Sequence, residues 1–218
     1  ANVMSSSATI QIRSGATLYL NKGLNYGASI QLYGTGNAEL SNNGSTLGAL
    51  RLETGANQTG TVTLFANSSI GVNSSAATIS GVIGESGGSF GFTKGGNNSL
   101  TLSGANTFSG TTTHAASTGT LRLANSLALQ NSTLSYTGAA ALVFDSTVGT
   151  HAFIFGGLTG TSGIALTDNG ANTVALTVGN NNTSPAAYSG TLSGGGSLTK
   201  TGTGTLTLSG ASSYTGAT

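Results

Sequence analysis

The chain has no cysteine, no tryptophan and one proline, Pro185, in 218 residues. Without cysteine there is no disulfide staple, so stability has to come from packing and main-chain hydrogen bonds. Charge is nearly as scarce. Asp, Glu, Lys and Arg make up 5% of the residues, against about 25% in an ordinary soluble domain. A net charge of +1 supplies neither the basic footprint of a nucleic-acid binder nor an acidic reservoir for cations. No apolar run approaches the roughly 18 residues of a membrane-spanning helix, so this segment is not expected to insert into a membrane. The opening ANVMSSSATIQI has no basic or apolar leader pattern, so no signal peptide is read there. It lacks an initiating Met, and the last residues, Tyr214-Thr-Gly-Ala-Thr218, stop in mid-pattern. The expectation is one segment of a longer array.

What is present is glycine, 36 residues of it, with abundant Ser, Thr and Asn between short aliphatic runs. Those runs separate the chain from a disordered Gly/Ser polymer. Helical spacing is nearly absent, and glycine recurs too often for helix interiors. Alternation with a period of two appears instead, at Ala8–Ile12, Ala16–Leu20, Ser29–Tyr33, Ala49–Leu52, Thr61–Phe65 and Ser99–Leu102. It returns at Gly119–Leu123, Ala141–Phe144, Ala152–Phe155, Thr173–Val178 and Thr205–Leu208. Each run reads as a short strand with one apolar face. The Gly, Asn and Ser clusters between them suit tight turns.

Internal repetition decides among the all-β architectures. Residues 93–112 and 199–218 align without a gap. Lys94/Lys200, Gly96/Gly202, Leu100/Leu206, Leu102/Leu208, Gly104/Gly210 and Gly110/Gly216 are identical pairs, and Phe108 is matched by Tyr214. A degenerate copy over 157–188 places Leu166-Thr-Asp168 against Leu198-Thr-Lys200. A unit of turn plus strands cannot bury its own apolar face, so copies must stack. At 20–25 residues per turn the expectation is an all-β, parallel β-helix (β-solenoid) of roughly ten coils, forming one segment over 1–218.

The unit Ser197-Leu-Thr-Lys-Thr-Gly-Thr-Gly-Thr-Leu-Thr-Leu-Ser-Gly-Ala-Ser-Ser-Tyr-Thr-Gly216 resembles the passenger-associated transport repeat of bacterial autotransporters. The resemblance is specific over 89–123, where Asn106 and Phe108 fit the pattern, and over 189–218. It is looser over 157–188. It implies a right-handed parallel β-helix in a large secreted or surface protein, with the repeats linked to export and passenger folding. The fourteen residues paired above are then structural, repeat-defining positions.

Candidate sites for chemistry are few. Gly84-Glu85-Ser86-Gly87-Gly88 resembles the surroundings of a serine-protease nucleophile, but His114 and His151 stand in no motif of their own. The segment also lines up with Ser193–Lys200, so Ser86 reads as a turn residue. The carboxylates are Glu39, Glu53, Glu85, Asp145 and Asp168. Asp145 and Asp168 could lie one coil apart on one face, as a glycan-cleaving pair would, yet solvated turn carboxylates are the plainer reading. Arg13, Arg51 and Arg122 sit within strands and are expected to point outward into solvent. Tyr19, Tyr26 and Tyr33 are the clustered aromatics, expected to pack in the core or at an edge.

No catalytic, metal or cofactor residues are therefore assigned. The expected role is a non-catalytic structural or adhesive rod on a bacterial surface, or secreted from it. Its expected partners are copies of itself, end to end or side by side, with glycans or other surface proteins as further candidates and nucleic acid not among them. The alternatives are a glycan-binding adhesin module and, behind it, a polysaccharide-processing β-helix enzyme.

Overall fold

The computed structural model describes residues 4–37, 47–115 and 119–218, and Glu39 lies outside them. Every regular element among the described residues is a strand, and every paired strand runs parallel to its neighbours. The chain winds as a three-sided parallel β-solenoid.

One side stacks β1 (Thr9–Ile12), β4 (Ser29–Leu32), β7 (Val62–Leu64) and β10 (Ile83–Glu85). The second begins with β2 (Leu18–Leu20), β5 (Leu50–Leu52), β8 (Ser68–Gly71), β11 (Phe92–Gly95) and β13 (Thr112–His114). It continues through β15 (Leu129–Tyr136), β17 (Ala152–Gly160), β19 (Ala175–Val178) and β21 (Ser197–Lys200). The third stacks β3 (Asn25–Tyr26), β6 (Asn57–Gln58), β9 (Ala77–Ile79), β12 (Ser99–Leu102), β14 (Thr120–Leu123) and β16 (Ala141–Phe144). A short pair, β18 (Ile164–Ala165) with β20 (Leu192–Ser193), follows near the C-terminal end.

Strands of two to four residues suffice because each rung is bonded by the rungs before and after it, not by its own length. Along them Leu, Val, Ile and Phe point inward, and Thr, Gln or Ser outward. The inward rows form one continuous core from Ile12 to Leu198. Each fully buried Leu or Phe contributes about 1.5–3 kcal/mol. Toward the C-terminal end the core becomes aromatic, with Phe144 against Phe153 and Phe155 at centroid distances of 4.7 and 6.1 Å.

An interior ladder counts the turns. It runs Leu18, Leu50, Ile70, Lys94, then His114, Tyr136, Gly160, Tyr188 and Leu208. Nine positions make eight turns, or a rod about 40 Å long at about 4.8 Å per step. Roughly ten coils was therefore an overcount. Most turns take 20 to 24 residues, but the span from Asn25 to Asn57 takes 32. A second long turn, from Gly160 to Tyr188, holds an excursion at 180–187.

The nine-stranded sheet is not flat on one side. The long strands β15 and β17 turn a corner, with a register shift between Leu129 and Thr133. The first half of β17 passes its pairing to β19 and then β21. Its end, Gly160, passes instead to Tyr188 and Leu208. Lys94 and Lys200, identical in the repeat, thus occupy different sides of the rod.

Candidate functional site

The recurring residues are spent on holding one coil to the next. Asn106 is buried, and its Oδ1 accepts the Ile83 main-chain N–H at 2.8 Å. Its Nδ2 donates forward to the Ala128 carbonyl at 3.0 Å, so one side chain ties three coils. In the second copy the equivalent Ser212 Oγ accepts the Leu192 N–H at 3.1 Å. The neighbouring main chain repeats the pattern. Thr107 and Phe108 donate to Ile83, as Ser213 and Tyr214 donate to Leu192. Gly110 donates to Phe90 and Gly216 to Gly196.

Glycine is required at these crossings. A Cβ on Gly104 would lie 2.5 Å from the Gly81 oxygen, and one on Gly210 would lie 2.2 Å from that of Gly190. Leu100 and Leu102 are fully buried and Phe108 nearly so, whereas Leu206, Leu208 and Tyr214, on the last coil, are half-buried.

Thr93 and Lys94 lie on β11. Lys94 points into the rod, and its Nζ donates to the carbonyls of Gly96 (2.8 Å) and Asn98 (2.6 Å). Gly96 adopts φ 74°, the left-handed conformation that turns its carbonyl toward the ammonium. Lys200 makes the same bond to Gly202 (3.1 Å, φ 67°) while remaining exposed. Burial lowers the Lys94 pKa to about 8.

On the next rung His114 is also buried. Its Nε2 is 2.9 Å from the Ala141 carbonyl, and its ring stacks on Tyr136 at 5.5 Å. Burial, reinforced by Lys94, lowers its pKa, against the bond to Ala141. The Tyr136 hydroxyl donates to Ala140 at 2.5 Å. Three polar side chains on consecutive rungs thus bond main-chain carbonyls inside the rod.

Several charged residues outside that ladder are paired. The three arginines point outward as expected, and Arg13 is exposed, but each also has a protein partner. Arg51 Nε meets Glu53 at 2.9 Å and its guanidinium covers the Tyr19 ring at 4.5 Å. Arg122 Nε meets Asp145 at 2.5 Å. Arg13, just past β1, covers the Tyr33 ring at 4.6 Å. Charge pairs and cation–π contacts hold the outer faces where hydration was expected. Glu53 is buried, which opposes its ionisation, but bonds from Ser74 and Arg51 outweigh that and lower its pKa. The Arg122 bond, against some burial, lowers the Asp145 pKa to about 2, with help from Thr147.

Asp145 and Asp168 do lie on adjacent coils, since Asn169 donates to the Phe144 carbonyl. Both are occupied. Asp168 binds His151 Nδ1 at 2.7 Å and closes the turn through the Gly170 and Asn172 amides. Among the described residues neither histidine bonds a serine hydroxyl. Ser86 stands exposed in the turn after β10, its N–H on the Leu64 carbonyl. No group of three or more His, Asp or Glu able to hold a metal occurs among the described residues. Of the three tyrosines, Tyr26 is buried, Tyr33 stacks on Phe65 at 4.8 Å, and Tyr19 is 47% exposed.

Sequence reasoning missed a cleft of about 550 Å³ on the outer surface, where the sheet turns its corner. Thr93, Thr113 and Thr159 form part of its floor, and the segment Asn181–Pro185 forms a wall. That wall is tied down in two directions. Asn180 Nδ2 donates to the Gln130 carbonyl and Asn181 Nδ2 to Thr133, each at 3.0 Å. Asn182 Oδ1 and Ser184 Oγ accept the Thr203 and Thr205 amides, each at 2.9 Å. The signal was present as Asn180-Asn-Asn-Thr-Ser-Pro185, a polar insertion that breaks the coil spacing and holds the only proline.

This geometry defines a class: a parallel β-solenoid whose recurring residues serve coil-to-coil bonding. Comparison with known families then places two passenger-associated-transport-repeats in the chain, matched at residues 92–113 and 198–218. These are repeats of autotransporter passengers, and the two segments carry the hydrogen-bond set described above. Comparisons with curated proteins and with solved structures gave no match.

Proposed function

We propose that this chain is a non-catalytic rod segment of a bacterial autotransporter passenger, carried on the cell surface or secreted, with a mechanical or adhesive role. One observation carries the reading. An unbroken interior ladder runs from Leu18 to Leu208, and the residues that recur along the chain support it. Such a rod transmits position and resists proteolysis, because local opening must break main-chain bonds on two sides of a rung at once.

The last coil leaves Leu206, Leu208 and Tyr214 half-buried. The same positions in the first copy are sealed by the coil above them. The rod therefore associates end to end in solution unless another coil covers that face, since uncovered strand edges accept further strands. Its uncharged Thr, Ser and Asn faces suit contacts with neighbouring rods or with glycans.

The test is small-angle scattering with negative-stain microscopy. Particles about 40 Å long, or linear multiples of that length, support the rod. Compact globules with no long axis defeat it.

A further inference from the structure

The cleft walled by Asn181–Pro185 has the chemistry of a binding site, and deepens the adhesive half of the reading above. We infer that it binds an uncharged glycan chain. The inference rests on what lines the cleft and on which of those groups are still available.

Thr93 and Thr113 are paired in register, and Thr113 is followed in register by Ser135 and Thr159. Their side chains face outward, opposite the buried Phe92, Lys94, His114, Leu134 and Leu158. The Thr93, Thr113 and Thr159 hydroxyls make no hydrogen bond to any other described residue, although each can donate one and accept two. Other hydroxyls in the cleft are committed: Thr133 to Asn181, and Ser109 to Glu85 and Ser89. The free hydroxyls thus form a row facing a wall that Asn180, Asn181, Asn182 and Ser184 already hold in place. Little ordering remains to be paid for on binding.

The lining selects among ligand classes by what it contains. None of its residues is ionisable, so phosphate, nucleic acid and uronic or sialic acids meet no cation, and metal ions meet no carboxylate. The main chains of β11 and β13 are paired on both flanks, so a peptide cannot add as a further strand. The lining is too polar for a lipid tail: the Phe92 side chain is turned into the core, which leaves Pro185 as the apolar ring facing the cleft. A neutral saccharide matches it: hydroxyls toward the threonine row, a ring face toward Pro185. The floor spans the rungs from Asn67 to Thr159, a groove for several units of a linear chain.

The experiment is titration calorimetry of the 218-residue chain with neutral oligosaccharides (gluco-, manno- and N-acetylglucosamine hexaoses) and, as the acidic arm, a galacturonate hexaose. The double variant Thr93→Val and Thr113→Val keeps the shape and deletes two hydroxyls, and Thr78→Val, on another side, is the control. Binding of at least one neutral hexaose is expected, weakened about tenfold or more by the double variant, as the loss of two hydrogen bonds predicts, and unchanged by the control. Circular dichroism checks that the double variant keeps its fold; if it does not, Thr159→Val, at the far end of the row, is read by the same criterion. No heat with any neutral hexaose, tighter binding of the galacturonate, or equal affinity in the folded variant overturns the inference. The rod reading is judged separately by particle shape, so either can fail without the other.

Discussion

Asn106 and Ser212 hold equivalent places in the two repeats, and each accepts a main-chain N–H from the coil before it, Ile83 in one case and Leu192 in the other. Asn106 does more, because its amide also donates to Ala128 on the following coil. Serine can satisfy the backward bond but cannot make both at once over that reach. The residue chosen at this position therefore sets whether a coil is tied on one side or on two.

Replacing Asn106 by Ala is expected to leave the Ile83 N–H and the Ala128 carbonyl buried without partners. At about 1–3 kcal/mol for each orphaned group, the loss should be about 2–6 kcal/mol. Asn106→Ser should restore part of it by recovering the backward bond. Urea unfolding followed by circular dichroism checks the order wild type, Ser, Ala. Equal midpoints for Ser and Ala would show that the backward bond carries little.

Lys94 provides a pH signature. Burial lowers its pKa in the fold to about 8 from the ordinary lysine value of 10.5, so folding disfavours its charged form. The penalty is present in full below about pH 8 and disappears as pH rises toward the unfolded value. Relative to Lys94→Met, the wild type should gain up to about 2–3 kcal/mol between pH 8 and 10.5. Parallel stability profiles for the two proteins over that range would mean that the ammonium is not desolvated.

Asp145 acts in the opposite range. Its pKa is lowered to about 2 from 3.8, chiefly by Arg122. The stabilisation is therefore present above about pH 4 and is lost as pH falls through about 2. Asp145→Asn should flatten the acid limb of the stability curve while Arg122 remains in place. Thermal melts of both proteins from pH 5 down to pH 2 measure the difference, and coincident slopes would rule the pair out as its source.

The Leu-x-Leu strands were legible because each places two large aliphatic side chains on one face, as in β12 and β14. Strands such as β8, Ser-Ser-Ile-Gly, and β13, Thr-Thr-His, were not. Their bonding comes from the rungs on either side, and their inward residues include a histidine and a small serine. Lys94 misled in the same way: period-two reasoning assigns inward positions to apolar residues and cannot see the Gly96 and Asn98 carbonyls that receive the ammonium. The repeat offset was readable and the coil count nearly so, but not the corner in β15 and β17 that moves the second repeat onto a different side. The cleft was invisible because its floor comes from separate coils, and its wall looked like one more polar loop.

The two repeats also permit an internally controlled test of stacking. Leu100 is fully buried, covered by Leu121 on the next coil, whereas its counterpart Leu206 is half-buried on the last. The same change, Leu to Ala, should then have two costs. In a sealed core it removes about 2–5 kcal/mol. At Leu206, where part of the side chain already meets water and the void can fill, about 1 kcal/mol is expected. Chemical denaturation of Leu100→Ala and Leu206→Ala in dilute protein checks the gap. If raising the protein concentration widens the cost at Leu206 toward that at Leu100, a second copy is covering the end face; if the cost stays constant, the end stands open.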